Sequence, residues 1–316
     1  MILVVGASGE LGSRVVQRLR EGDHPVRCLV RPGTEAPRLR EWGADVVRGD
    51  LADPASLAVA CEGVHTVVAS ATAIARVLAG SKHPSIHEAD ELGMASLVEA
   101  AENAGVERFV YVSYAGADAD LGTPLERAKT ATERRLARSP IRRVVVRPDA
   151  FQDIHLAPIG RFDIHDGKVS VFGKGDTKRR WVATDDVAAL VAAVAVEVDP
   201  PDTITFGGPE AISRNEAIAV AEQATGKKMK VQRMPRAVAR LGMRLLDRPS
   251  PAMATILGTG LMQDLLSVTW DDGPLRERGI TPRSASDWIR EQARDRGVRR
   301  SPSPRCPPAL AGADVG

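Results

Sequence analysis

Aromatic residues are scarce in this chain: four Trp, two Tyr and five Phe among 316 residues. So few rings exclude a base-stacking platform for single-stranded nucleic acid, which needs successive aromatic faces. Charge of one sign is missing as well, because 43 Lys and Arg face 41 Asp and Glu for a net +2. That balance offers no overall field for nucleic acid or a membrane surface, and neither partner is expected. The three cysteines, Cys28, Cys61 and Cys306, are odd in number and far apart, which excludes a disulfide framework and any paired metal or redox motif. No metal is expected from histidine either: His83 and His87 have helical spacing, but Pro84 stands between them and no third ligand is evident. No apolar run reaches the length of a bilayer, and the N-terminus enters a strand without a basic leader. A soluble protein of a reducing cytoplasm is the expectation.

What is present is concentrated at the start. Ile2-Leu3-Val4-Val5 is a four-residue apolar run suited to a parallel strand covered on both faces. Gly6-Ala7-Ser8-Gly9-Glu10-Leu11-Gly12 follows, and Leu11, Val15 and Leu19 then recur at helical spacing until Gly22. Strand, glycine turn and helix are the order a dinucleotide requires. Gly6 permits the tight turn, Gly9 admits backbone amides to a pyrophosphate, and Gly12 lets helix and strand pack closely. The free amides and positive dipole end of the helix hold the phosphates. Val26 to Val30 closes the unit as a second strand, and the next residue is Arg31. A carboxylate there would hydrogen-bond a ribose diol. A guanidinium instead offers a charge-assisted fork to a 2′-phosphate, so NADP(H) is the expected cofactor, the alternative being an exposed arginine in an arginine-rich chain.

Strand and helix patterns alternate through the first half: strands over 45–48, 64–70, 108–113 and 142–147, and helices from Asp53-Pro54 to about Gly63, over 86–104 and over 124–138. This is the signature of an α/β fold with a doubly wound parallel sheet. After Pro148 the alternation fails. Residues 163–172 suggest short β structure, Thr184 is expected to cap a helix reaching Val196, and Ser213 to Glu216 form a capping box for a helix ended by Gly226. The division expected is a nucleotide domain over 1–150, a smaller, partly interleaved α+β substrate lobe over 151–298, and a disordered tail over 299–316, rich in Pro, Ser and Arg.

The glycine turn, Gly49-Asp50-Leu51, Asp90-Glu91-Leu92-Gly93, Val110-Tyr111-Val112-Ser113, Arg147-Pro148, Thr184-Asp185-Asp186-Val187 and Phe206-Gly207-Gly208-Pro209-Glu210 together resemble an NmrA-like, atypical short-chain dehydrogenase/reductase as far as about Arg290. The resemblance implies a Rossmann-type sheet with a small C-terminal lobe. It places Asp50 and Leu51 beside the adenine, and Ala69, Ser70 and Ala71 along the cofactor. Pro148 and Phe151 would line the nicotinamide end.

One departure bears on chemistry. Where tyrosine-dependent relatives carry Tyr-x-x-x-Lys, this chain reads Leu125-Glu126-Arg127-Ala128-Lys129. The phenol is gone. Tyr111 and Tyr114 lie on opposite strand faces, and Tyr111 is expected in the core. Lys129 would bind the nicotinamide ribose or act as general acid, its pKa lowered by an apolar, cationic setting, or else pair on the surface with Glu133. Ser113 would orient a substrate carbonyl or satisfy a local amide. The charged run from Lys174 to Arg180 is taken as a solvated loop, and Asp185 and Asp186 as dipole complements in a first helical turn. The expected function is an NADPH-dependent oxidoreductase passing hydride to a small electrophile such as a quinone, enone or carbonyl. The alternative is a non-catalytic NADP(H)-binding redox sensor with a protein partner.

Overall fold

Short β-branched runs alternating with helices dictate the first half of the chain, and a computed structural model shows how they assemble; it describes residues 1–78, 81 and 84–295. In chain order these are β1 (Ile2–Val5), α1 (Glu10–Glu21), β2 (Val26–Val30), α2 (Pro37–Glu41), β3 (Asp45–Arg48), α3 (Pro54–Cys61), β4 (Thr66–Ala69), α4 (Ile74–Leu78), a π-helical turn (His87–Gly93), α5 (Met94–Asn103), β5 (Arg108–Val112), α6 (Pro124–Leu136) and β6 (Arg142–Pro148). The second half contributes α7 (Gln152–His155), β7 (Phe162–Asp163), β8 (Lys168–Phe172), β9 (Lys178–Arg179), α8 (Thr184–Val196), β10 (Thr203–Phe206), β11 (Ile212–Ser213), α9 (Arg214–Thr225) and β12 (Lys230–Met234). It ends with α10 (Arg236–Leu246), α11 (Pro251–Leu265), α12 (Gly273–Arg276) and α13 (Ala285–Arg294).

Seven strands form one parallel sheet in the order β10-β6-β5-β4-β1-β2-β3. The order reverses between β1 and β4, which opens the crevice where ligands of such sheets bind. Both faces are covered, as parallel sheets require. Val4, Val68, Val110 and Val146 pack with α1 and α8 on one face, and Leu3, Val67, Phe109 and Tyr111 with α3 and α5 on the other. The chain comes back to this sheet after Pro148, since α8 packs on α1 and β10 adds beside β6. A separate core around Phe162, Val171, Trp181, Ile218 and Trp288 lies under β8, α9 and α13.

Four local outcomes differ from the sequence expectation. The helix over 86–104 is split: its first part is the π-helical turn, which turns Asp90 inward to accept the Ala73 amide at 2.8 Å. Ala183, not Thr184, is the N-cap of α8, and the Thr184 amide donates to Asp153 instead. The β structure over 163–172 is two strands separated by a turn. Helices α2 and α4, short and without a full apolar face, were not anticipated. The capping boxes at Ser213 and Thr123 and the left-handed Gly226 are as local chemistry dictates. His83 and the tail over 299–316 lie outside the described residues.

His155 is half-buried at the edge of the second core, tilted against Trp181, its Nδ1 accepting from Gln263 at 3.1 Å. Burial first, then Arg214 and Arg179, push its pKa down to about 3. A depressed pKa means the stabilisation is complete above the unfolded value near 6.5 and is lost as pH falls toward 3, up to roughly 4 kcal/mol. A His155→Gln protein is expected to unfold at a distinctly lower pH than wild type in acid titrations followed by near-UV circular dichroism; coincident midpoints would refute this origin of acid sensitivity.

Candidate functional site

The crevice begins where β1 ends. Gly6 has φ +95°, and a Cβ there would stand 2.7 Å from the Ala71 amide nitrogen. A Cβ on Gly12 would overlap the Gly6 carbonyl oxygen, so α1 lies directly on the turn. The Gly9 amide returns to the Gly6 carbonyl at 3.0 Å, and Ser13 to Gly9 at 2.9 Å. The first amides of α1, from Glu10 to Gly12, have no carbonyl four residues back within the helix and face outward from its N-terminus. Ala7 is buried beneath them, Ser8 is exposed, Leu11 packs on the core, and Glu10 is held to the side by Arg14 at 2.5 Å. This is a cradle of backbone donors with no side chain inside it.

The neighbouring strand ends complete the rim. Ser70 is fixed by its amide to the Val5 carbonyl at 3.0 Å, and Ala69 and Ala71 flank it against Gly6. Arg31 stands just beyond β2, half-buried, and its guanidinium has no partner among the described residues. Arg48 instead donates to the Arg31 and Thr34 carbonyls and holds that loop. Asp50 spends one carboxylate oxygen on the Ala52 amide at 3.0 Å, and Leu51 packs under Gly93. Ser113 follows directly on β5, with its amide on the Val146 carbonyl and its buried hydroxyl unpartnered. Pro148 ends β6, its carbonyl accepting from Ala115, and Phe151 is half-buried beside it, bridged to Val182. These residues fit a dinucleotide: glycine backbone for phosphates, a free guanidinium beyond β2, an orphan hydroxyl at the far end.

Lys129 takes neither of its expected places. It is sealed inside: Nζ donates to the Val112 carbonyl at 3.0 Å, stands 4.0 Å from Asp90 Oδ1, and lies 4.9 Å from the centre of the Tyr111 ring. Glu133, the surface partner considered above, pairs with Arg147, which also reaches Asp118 at 3.1 Å. The expectation of a lowered lysine pKa is reversed. Burial draws the ammonium toward its neutral form, but the Tyr111 and Asp90 oxygens outweigh it and its pKa lies above the ordinary value. Burial also raises the pKa of Asp90 and that of Tyr111, against the pull of the Lys129 ammonium, which lowers both. The pair ties the loop after β4, through the Ala73 amide, to the end of β5.

Three groups were given no role from the sequence. Asp90 had a signal: Ile86, Asp90, Met94 and Leu97 recur at inward spacing, which puts a carboxylate among apolar positions. Asp149 had none. Its carboxylate accepts from Arg179, the Ala150 and Arg180 amides and Trp270 Nε1, locking β6 to β9 and to the segment after α11. Gln152, fully buried just after it, has both amide atoms unpartnered. Outside the crevice, a cavity of about 420 Å³ opens between residues 120–122 and helices α10 and α11. It touches none of the residues expected at the cofactor; a small recess sharing Leu121 with it reaches Tyr114, next to Ser113. Among the described residues no cluster of His, Cys, Asp or Glu has the makings of a metal site.

Removing one member of the sealed pair strands the other. Lys129→Met is expected to cost about 3–5 kcal/mol in denaturant unfolding, as for other uncompensated buried charges, and a second change, Asp90→Leu, to restore most of it. Additive losses in that cycle would show that the two groups do not act as a pair.

The comparisons agree with this geometry. The model of the NAD(P)H-binding family matches residues 6–197. The chain is 32% identical over 252 residues to the photosystem II assembly factor Ycf39 of Synechocystis, covering 78% of this chain and 74% of that one. It is 32% identical over 248 residues to the chloroplastic protein High Chlorophyll Fluorescence Phenotype 244 of Arabidopsis thaliana, covering 77% of this chain but only 60% of the relative. An NAD(P)H azoreductase of Xenophilus azovorans is 29% identical over 229 residues, covering 72% and 74%. Among solved structures, the NADPH-dependent quinone oxidoreductase of Escherichia coli complexed with NADPH shares the fold with a TM-score of 0.70 at 22% identity, over 92% of this chain and 99% of that one. The chain therefore belongs to the NAD(P)H-binding family.

Proposed function

We propose that the protein binds NADPH and passes hydride to a small electrophile, a quinone, enone or carbonyl compound. The observation that carries the cofactor choice is Arg31: an uncommitted guanidinium stands beyond β2, where an NAD-selective site would present a carboxylate. The glycine cradle and the α1 amides would take the pyrophosphate, and Asp50 the adenine side. Bound there, the cofactor supplies the hydride. The protein's own part is positioning and exclusion of water. The Ser113 hydroxyl, buried and unpartnered at the end of β5, would donate to the substrate oxygen. Lys129 is a positioning residue that holds Val112, and so Ser113, in register. A product hydroquinone oxygen takes its proton from water. The cavity beside residues 120–122 has the volume of a small-molecule site.

A second reading, an NADP(H)-responsive protein without turnover, is favoured by one observation: with Leu125 in the tyrosine position and Lys129 sealed, neither residue of the lost pair offers a proton to the crevice. Relatives named as assembly factors support it. Arg31→Asp is expected to weaken NADPH binding about 50-fold or more, the worth of a lost charge-assisted fork plus a repulsion, and to leave NADH binding within a few-fold. Calorimetry with both cofactors checks it, and equal losses for the two would remove the argument for NADP. NADPH oxidation measured across quinones and enones, with Ser113→Ala for comparison, separates the two readings: no turnover with any acceptor rejects the enzyme.

A further inference from the structure

The near-neutral total conceals one strongly basic segment. Between Gly226 and Pro249 eight residues are Lys or Arg and only Asp247 is acidic, so the rest of the chain is net acidic. Asp247 is taken by Arg127, Lys228 by Glu222, and Arg236 by Asp264. Arg240, Arg244 and Arg248 have no carboxylate partner among the described residues; they recur every four residues along α10 and just past its end and share one exposed side.

Beside that row runs a second one. Val238, Leu241 and Leu245 follow at spacings of three and four and are 55%, 59% and 67% exposed. The opposite side of α10 is already satisfied, since Ala239 packs with Leu257 and Leu261 of α11, and Met243 and Leu246 lean on the same cluster. The helix is therefore apolar on two sides and covered on one. An exposed apolar row gains nothing from phosphates alone, which argues against nucleic acid. Next to a row of free guanidiniums it matches an interface with acyl chains below and anionic headgroups at its edge. Among the described residues no helix is long and apolar enough to cross a membrane, so the contact would lie in the surface plane.

We propose that α10 docks the protein on an anionic lipid bilayer, Val238, Leu241 and Leu245 entering the interface and Arg240, Arg244 and Arg248 meeting the headgroups. Arg240, Met243 and Arg244 also line the 420 Å³ cavity, so docking sets its mouth against the membrane. If the hydride-transfer reading holds, a lipid-dissolved quinone reaches the site without crossing water; the docking itself does not depend on that reading.

The test is flotation of the full chain with vesicles of phosphatidylcholine alone or containing phosphatidylglycerol, with NADPH binding measured on every variant to show the fold is kept. Binding to the phosphatidylglycerol vesicles that is at least tenfold stronger than to neutral ones and weakens with salt supports the proposal. Leu241→Glu with Leu245→Glu should abolish it, and each of Arg240→Gln, Arg244→Gln and Arg248→Gln should weaken it about fivefold. Absence of vesicle binding overturns it, as does binding that the leucine variant leaves unchanged. A dimer in solution that the leucine variant dissociates, without lipid binding, overturns it in favour of a second copy of the chain. Turnover of water-soluble and lipid-dissolved quinones is read separately, so a protein that floats but oxidises no NADPH keeps the docking and loses only the enzyme.

Discussion

Backbone lies on backbone at the start of this fold. Gly12 sits on the Gly6 carbonyl, and Gly6 in turn sits on the Ala71 backbone and the Ser70 hydroxyl, so α1, β1 and the end of β4 meet with only that hydroxyl between them. A methyl group at any of these contacts would lift the helix from the sheet. Because the three ends converge, the free amides of α1 open into the crevice at the point where the strand order reverses. Register then places the rest. Arg31 directly follows β2 and Ser113 directly follows β5, and each is positioned by the ladder that starts at β1.

Two buried ion pairs fix the edges of that crevice, and they are built differently. Asp149 is fully satisfied by five donors, and Arg179 also lies 5.5 Å from the Trp270 ring. Buried pairs seldom add net stability over apolar replacements, so its effect is geometric: it lets only one placement of β9 and the Trp270 segment against β6. Asp90 and Lys129 are looser. They stand 4.0 Å apart with Asp90 Oδ1 lacking any hydrogen bond, and what they fix is the spacing of the β4 and β5 ends.

The first half of the fold was legible because its signals are local. The apolar runs gave the bounds of β1, β2 and β3 to the residue, and the turn chemistry of Asp53-Pro54 and Ser213 marked helix starts by side-chain bonds to nearby amides. What was not legible depends on partners distant in sequence. The parallel pairing of β12 with β8, the return of β10 to β6 and the burial of Lys129 each join segments with no shared pattern. The π-helical turn is such a case too: nothing in its residues demands a wider turn, but the Ala73 amide does. Charge was misjudged for another reason. A total over the whole chain averages the basic stretch after Gly226 against acidic residues elsewhere, and only the exposed faces of α10 separate them.

The loss of the tyrosine also changes what its helix does. With Leu125 in that position, the next residue takes over the turn: Glu126 accepts from the amides of Leu121, Gly122 and Thr123 and closes a capping box with Thr123. The start of α6 thus becomes a clamp on the loop that walls the cavity. Four residues on, the ammonium that would have tuned a phenol is committed to a carbonyl and a carboxylate. On the hydride-transfer reading this sorts acceptors. A ketone reduced to an alkoxide needs a strong acid at its oxygen, and neither Leu125 nor the committed Lys129 supplies one. A quinone needs far less, because its reduced oxygens are weakly basic and water can protonate them. The residues that remain therefore suit an acceptor that asks the protein for position and dryness more than for a proton.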